Sequence, residues 1–294
     1  MKTLSEVLVE KVNEWREQGY AHAKYPLISE ILGFQREEDS GLKYLRDAQF
    51  KALETYWYLR LVCNTKPTFN LYGEYYTTSE LLEQYQLSGE NEIMKLVVDE
   101  RIDSLWSRIR EDQCFTKKYK LNVLQEVLNL SYPSYIFALA MGAGKTVLIG
   151  AIIATEFAMA GEYPDDPFIK NALVFAPGKT IIESLKELVI IPYEKILPSR
   201  LYKEFVTSLK LTVTRDGEKD IPVIKGSAYN VVVTNIEKIR IQKENVRKKD
   251  IGQIGILTNN DLDKVKQDVA NLRLQTITSL PNLGVFSDEA HHTY

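Results

Sequence analysis

Tyr135-Ile136-Phe137-Ala138-Leu139-Ala140-Met141-Gly142-Ala143-Gly144-Lys145-Thr146 is the stretch that decides how the rest of the chain is read. An apolar run enters a glycine-rich turn, and a second apolar run from Val147 to Ala160 leaves it. The order predicts a strand over 135–140, a loop and a helix over 146–160, the setting a phosphate-binding loop needs. Gly142 and Gly144 free the backbone to bend until successive N–H groups converge on a phosphate. A helix starting near Lys145 adds the positive end of its dipole. Met141, Gly142, Ala143, Gly144, Lys145 and Thr146 are therefore the candidate nucleotide-binding residues. Lys145 would meet the β- and γ-phosphates, a catalytic contribution as well as a binding one, and the Thr146 hydroxyl could ligate Mg²⁺. A membrane span over the same residues is excluded, because Lys145 and the glycines interrupt it and each apolar piece falls short of the ~20 residues a span requires.

Outward from that loop the chain divides by character. Residues 1–130 read as a mainly helical region. Thr3 and Glu6 make a capping box, and Leu4, Leu8, Val12 and Trp15 share one helical face. A polar, aromatic-containing stretch runs to about Leu42. Helical patterns follow over 45–62, 79–87, 92–109 and 121–130. Residues 131–294 read as α/β: apolar runs at 135–140, 172–176, 211–214, 230–234 and 283–287 alternate with helices at 146–160, 180–189 and 261–274. That alternation predicts a mainly parallel sheet, and near-continuous apolar strands fit one covered on both faces. Asp216-Gly217 is turn chemistry and predicts a hairpin over 211–225.

Leu283-Gly284-Val285-Phe286-Ser287 ends in Asp288-Glu289-Ala290-His291-His292. Two carboxylates at the C-terminal end of a buried strand stand where open α/β sheets hold ligands. Asp288 would hold the Mg²⁺ and Glu289 would orient and deprotonate an attacking water, making it the candidate catalytic base. The H-E-x-x-H spacing of a zinc protease is absent.

These motifs together resemble superfamily 2 helicases. Residues 140–146 look like their motif I, in a form that tolerates Leu139 where the general phosphate-loop pattern has glycine. Asp288–His292 looks like a DEAH-type motif II, and its doubled histidine is similar to the motor subunits of type III restriction enzymes. The resemblance implies a RecA-like P-loop domain that binds ATP and Mg²⁺ and moves along nucleic acid, DNA in preference to RNA, in the cytoplasm and without a membrane. A methyltransferase or specificity subunit is a partner the family can take. It also implies backbone contacts at Pro177, Gly178 and Lys179, where motif Ia would lie, and at Thr234 and Asn235, near motif Ib. Leu45-Arg46-Asp47-Ala48-Gln49 looks like the family's L-R-x-x-Q element, which would make Gln49 an adenine reader and Arg46 its helper, with 67–130 a helical insertion before the glycine loop. No second motor domain follows Tyr294, so the chain is expected to be an N-terminal fragment, weakly active alone.

Composition bounds the alternatives. The 294 residues are enough for one large domain or two, and the net charge of −3 makes any nucleic-acid contact local rather than global. The basic residues between 236 and 250 could supply such a contact or a solvated face. Two cysteines without metal-ligand spacing fit a reducing compartment. An RNA-directed motor, a nucleotide switch with no motor action and, more distantly, a P-loop kinase are the competing functions.

Overall fold

In the computed structural model, the structure describes residues 2–37, 41–100, 102–130, 132–176, 186–213, 229–235 and 278–287. The chain forms two compact units that interleave along the sequence: Met1–His22 with Glu54–Ala138, and Ala23–Leu53 with Leu139–Tyr294.

The first unit is helical. Helix α1 (Leu4–Glu17) opens with the expected capping box, Thr3 accepting from the Glu6 N–H and Glu6 from that of Thr3, and buries Leu4, Leu8, Val12 and Trp15. The later part of α3 (Asp47–Trp57) belongs here and continues into a π-helical turn, Tyr58–Val62, so the single helix expected over 45–62 has two parts. Then come α4 (Thr68–Tyr75), α5 (Thr78–Gln84), α6 (Asn91–Glu100), α7 (Ile102–Glu111), α8 (Gln113–Lys118) and α9 (Asn122–Leu128). The helix expected over 92–109 is thus divided into α6 and α7. Helix α7 packs against α6, α8 and α9, around a core that includes Ile93, Leu105, Ile109 and Phe115. Among the described residues of this unit, Glu54 is the buried charge. Both Glu54 carboxylate oxygens accept from Arg16, at 2.6 Å each, and Oε1 also accepts from the Tyr20 hydroxyl at 2.6 Å.

The second unit is α/β. Its early part holds α2 (Leu27–Phe34), a two-residue antiparallel pairing of β1 (Arg36–Glu37) with β2 (Gly41–Leu42), and the start of α3. Helix α2, inside the stretch read only as polar and aromatic-containing, buries Leu27, Ile28, Ile31 and Leu32. Then come α10 (Lys145–Glu162), β3 (Asn171–Ala176), α11 (Ser199–Ser208), β4 (Leu209–Val213), β5 (Tyr229–Asn235) and β6 (Leu283–Ser287). The four strands make one parallel sheet in the order β4-β5-β3-β6. Register is pinned where the strands begin: Asn230 Nδ2 donates to Asn171 Oδ1 at 2.8 Å, and Asn171 Nδ2 donates to the Pro281 carbonyl at 2.7 Å. Helix α10 is buried all round from Gly150 to Ala160, as an apolar helix without a polar face must be. It ends at Glu162, past the end expected at Ala160.

One expected strand is not there. Residues 135–140 form no ladder; the chain is irregular up to the glycine turn. Exposure alternates along it, with Tyr135, Phe137 and Leu139 half-buried and Ile136, Ala138 and Ala140 exposed, so the segment keeps strand-like alternation without a strand's partner. Both edges of β3 are already taken by β5 and β6. The Tyr135 hydroxyl donates to the Lys66 carbonyl at 2.6 Å, which ties the start of the segment into the helical unit. The hairpin expected over 211–225 lies mostly outside the described residues, as do residues 180–185 and the helix expected over 261–274. Among the described residues no helix is long and apolar enough to cross a membrane.

Candidate nucleotide site

The glycine turn has the backbone that the sequence requires of it. Gly142 and Gly144 both occupy the left-handed region, at φ +75° and +78°. A side chain strains that conformation, so glycine is the residue the turn can use. Ala143 N–H closes the turn onto the Ala140 carbonyl at 3.1 Å, and Gly144 is the N-cap of α10. The first N–H groups of this 18-residue helix have no intrahelical acceptor, so they and the dipole favour an anion at this spot. Lys145 and Thr146 are partly exposed here, whereas Met141 stands out at 98% exposure.

Helix α10 runs antiparallel to the strands. The Phe157 ring lies 5.0 Å from that of Tyr229, the first residue of β5, and Glu156 Oε2 accepts from the Ile169 N–H at 2.8 Å, two residues before β3 begins. The far end of α10, with the glycine turn, therefore lies toward the edge where the parallel strands finish. That edge carries Thr234 and Asn235, the last residues of β5, and Ser287, the last of β6. Ser287 Oγ is buried there with no hydrogen-bond partner among the described residues. Asp288 and Glu289 follow it directly in sequence. They lie outside the described residues, as do Pro177, Gly178 and Lys179 after β3, and the basic residues of 236–250. Among the described residues no cluster of three or more His, Cys, Asp or Glu could hold a metal ion.

Arg46 and Gln49 come to the loop. Arg46 Nη1 donates to the Gly142 carbonyl at 2.7 Å. Gln49 Nε2 donates to the carbonyls of Ala143 and Gly144, both at 2.9 Å, while its Oε1 accepts from the Arg46 N–H at 2.8 Å. Gln49 is buried, and a Cβ on Gly144 would lie 2.3 Å from its Nε2. The dihedral of Gly144 is what demands glycine, and a side chain there would also have to displace the end of the Gln49 side chain. The motif in the sequence brought these two residues into consideration, but no local pattern signals that their partners are three consecutive carbonyls far along the chain.

A family model described as type III restriction enzyme, res subunit, matches residues 115–294, more than half of the chain. No curated protein and no solved structure matches it.

Proposed function

Because the chain belongs to the family of type III restriction enzyme res subunits, we propose that it is an ATP-driven module that translocates along or unwinds DNA. The family is one of helicase-type, ATP-binding motors with a RecA-like fold, which makes nucleoside-triphosphate hydrolysis the general activity and nucleic acid the track. Magnesium, DNA as the substrate and the individual residue roles are the finer part of this reading.

The observation that carries it is the pair of left-handed glycines capping α10 at the edge where the strands end. This arrangement fits a triphosphate: a helix N-terminus, the Lys145 ammonium and the Thr146 hydroxyl are donors and a metal ligand, with no carboxylate in the turn to repel an anion. In this reading Lys145 holds the terminal phosphates. Thr146 and Asp288 hold the cation, and Glu289 orients a water for in-line attack. Magnesium bound there would neutralise charge developing between the β- and γ-phosphates. Thr234 and Asn235, with Pro177, Gly178 and Lys179, would grip the sugar-phosphate backbone.

The test is Lys145→Ala. Titration with a fluorescent ATP analogue should show affinity falling on the order of a hundredfold, as when one partner of a close charge pair is truncated. ATP hydrolysis stimulated by duplex DNA should fall with it. Unchanged affinity would reject the loop as the nucleotide site, and hydrolysis stimulated by RNA but not DNA would reject the substrate.

A further inference from the structure

We propose that the exposed apolar stripe on α9 and the residues just beyond it is a contact surface for a second copy of this chain, which pairs weakly and symmetrically through its helical unit. The inference stands apart from the nucleotide site and from the motor reading above.

Helix α9 has two apolar faces. Leu121, Leu124 and Leu128 pack into the core of the helical unit, and Leu121 and Leu128 are buried there. Val123, Val127 and Leu130 recur at helical spacing on another face and are exposed, Val123 to 75%. Tyr132 and Ile136, next along the chain, are exposed as well, Ile136 to 71%. A helix apolar on both sides is one built to be covered on both sides. Elsewhere among the described residues of this unit, exposed large apolar side chains come as a pair at most, such as Met94 and Val98 on α6.

Charge and area select the occupant. From Leu121 to Ala138 the only charged residue is Glu126, so the stripe is not built to meet a polyanion or an oppositely charged protein. Asn122, Glu126 and Asn129 form the neighbouring ridge of α9, and all three are exposed. In a two-fold interface each patch meets itself. Apolar side chains suit that geometry, and so do carboxamides, which carry both a donor and an acceptor, whereas a charge-rich patch repels its own image. Five side chains at these exposures offer on the order of 500 Å² per copy, and two copies bring together about 1,000 Å², the least that a specific interface needs. The pairing is therefore at the weak end.

The experiment is analytical ultracentrifugation of the 294-residue chain, from low micromolar to about a hundred micromolar, the range where a small interface associates. Val123→Asp and Ile136→Asp are compared with Val98→Asp, an equally exposed apolar position on α6, and circular dichroism checks the fold of each. The unaltered chain should pass from monomer to dimer as concentration rises. Val123→Asp and Ile136→Asp should each weaken that association on the order of tenfold or more, since each loses an apolar contact and brings a charge to the interface. Val98→Asp should leave it unchanged. Amide hydrogen exchange gives a readout without any substitution: α9 should become more protected as the unaltered chain dimerises. A chain that stays monomeric throughout overturns the proposal. So does an assembly of any size that the folded Val123→Asp and Ile136→Asp variants leave intact, or a dimer that forms with no added protection in α9. Equal weakening by Val98→Asp would move the contact to α6 and overturn it too.

Discussion

In the helical unit the buried Glu54 carboxylate is met by a guanidinium and a phenol, with Arg16 at 2.6 Å on both oxygens. The sheet unit relies instead on carboxamides. Gln35 donates to the Lys195 and Ile196 carbonyls, Gln49 to the loop, and Asn230 to Asn171, which donates onward to Pro281. Its one buried carboxylate among the described residues, Glu156, accepts from a main-chain N–H. The difference follows from what each unit must hold in place. Helices pack through side chains, and a bidentate ion pair joins two of them in one geometry. A parallel sheet and a tight turn expose main-chain groups at their ends, and a carboxamide offers a donor and an acceptor without a charge to desolvate.

The contrast predicts unequal losses on deletion. Glu54→Gln leaves Arg16 facing a neutral group, and Arg16 retains 23% of its side-chain exposure, so part of the penalty is relieved by water. We expect about 3 kcal/mol of destabilisation, at the low end for breaking a buried pair. The three tryptophans, Trp15, Trp57 and Trp106, all belong to the helical unit, so their emission during urea unfolding reads that unit. A midpoint shift near zero would mean that the ion pair contributes no more than a surface one and would break the comparison.

The carboxamide side should respond less. Asn230→Ala removes the donor to Asn171 Oδ1 and leaves that buried acceptor short of a partner, at a cost of about 2 kcal/mol. Amide hydrogen exchange should show the loss in β3 and β5, the strands that the pair holds in register. A loss as large as that of Glu54→Gln would show that charge is not what separates the two units.

What could be seen in the sequence follows the same division between local and non-local causes. Helix α1 was legible because its capping box and its apolar face lie within one short local stretch, Thr3–Glu17. β3, β5 and β6 were legible as apolar runs. The segment 135–140 has similar composition and alternation but pairs with no strand, and pairing is a non-local outcome that the segment's own residues do not carry. Helix α2 escaped notice because its apolar residues occupy only two turns after Pro26, among polar and aromatic neighbours. At the site, Gly142 and Gly144 could be picked out by their residue type. The bonds from Gln49 to the loop could not, since they join residues 94 and 95 positions apart.

Alkaline pH gives the smallest effect and separates the units by a property that carboxamides lack. Burial raises the phenols of Tyr85 and Tyr135 to about 12 in the folded chain, and it raises Tyr58 and Tyr72 in the same direction, all within the helical unit. An unfolded tyrosine titrates near 10. Below about pH 10 these groups are neutral in both states, and their full contribution to stability is present. Above it the unfolded chain releases its protons first, and that contribution is lost as pH rises through about 12. Glu54 holds the Arg16 guanidinium above its ordinary range, so the ion pair survives this window and does not confuse the result. The sheet unit has raised phenols too, at Tyr193 and Tyr229, but its register and loop bonds rest on amides that do not titrate. The tryptophan emission maximum should therefore move to the red between about pH 10 and 12, and Tyr85→Phe should push that onset upward. An onset that does not move with Tyr85→Phe would take burial of this phenol out of the account and leave the helical unit's alkaline limit to another group.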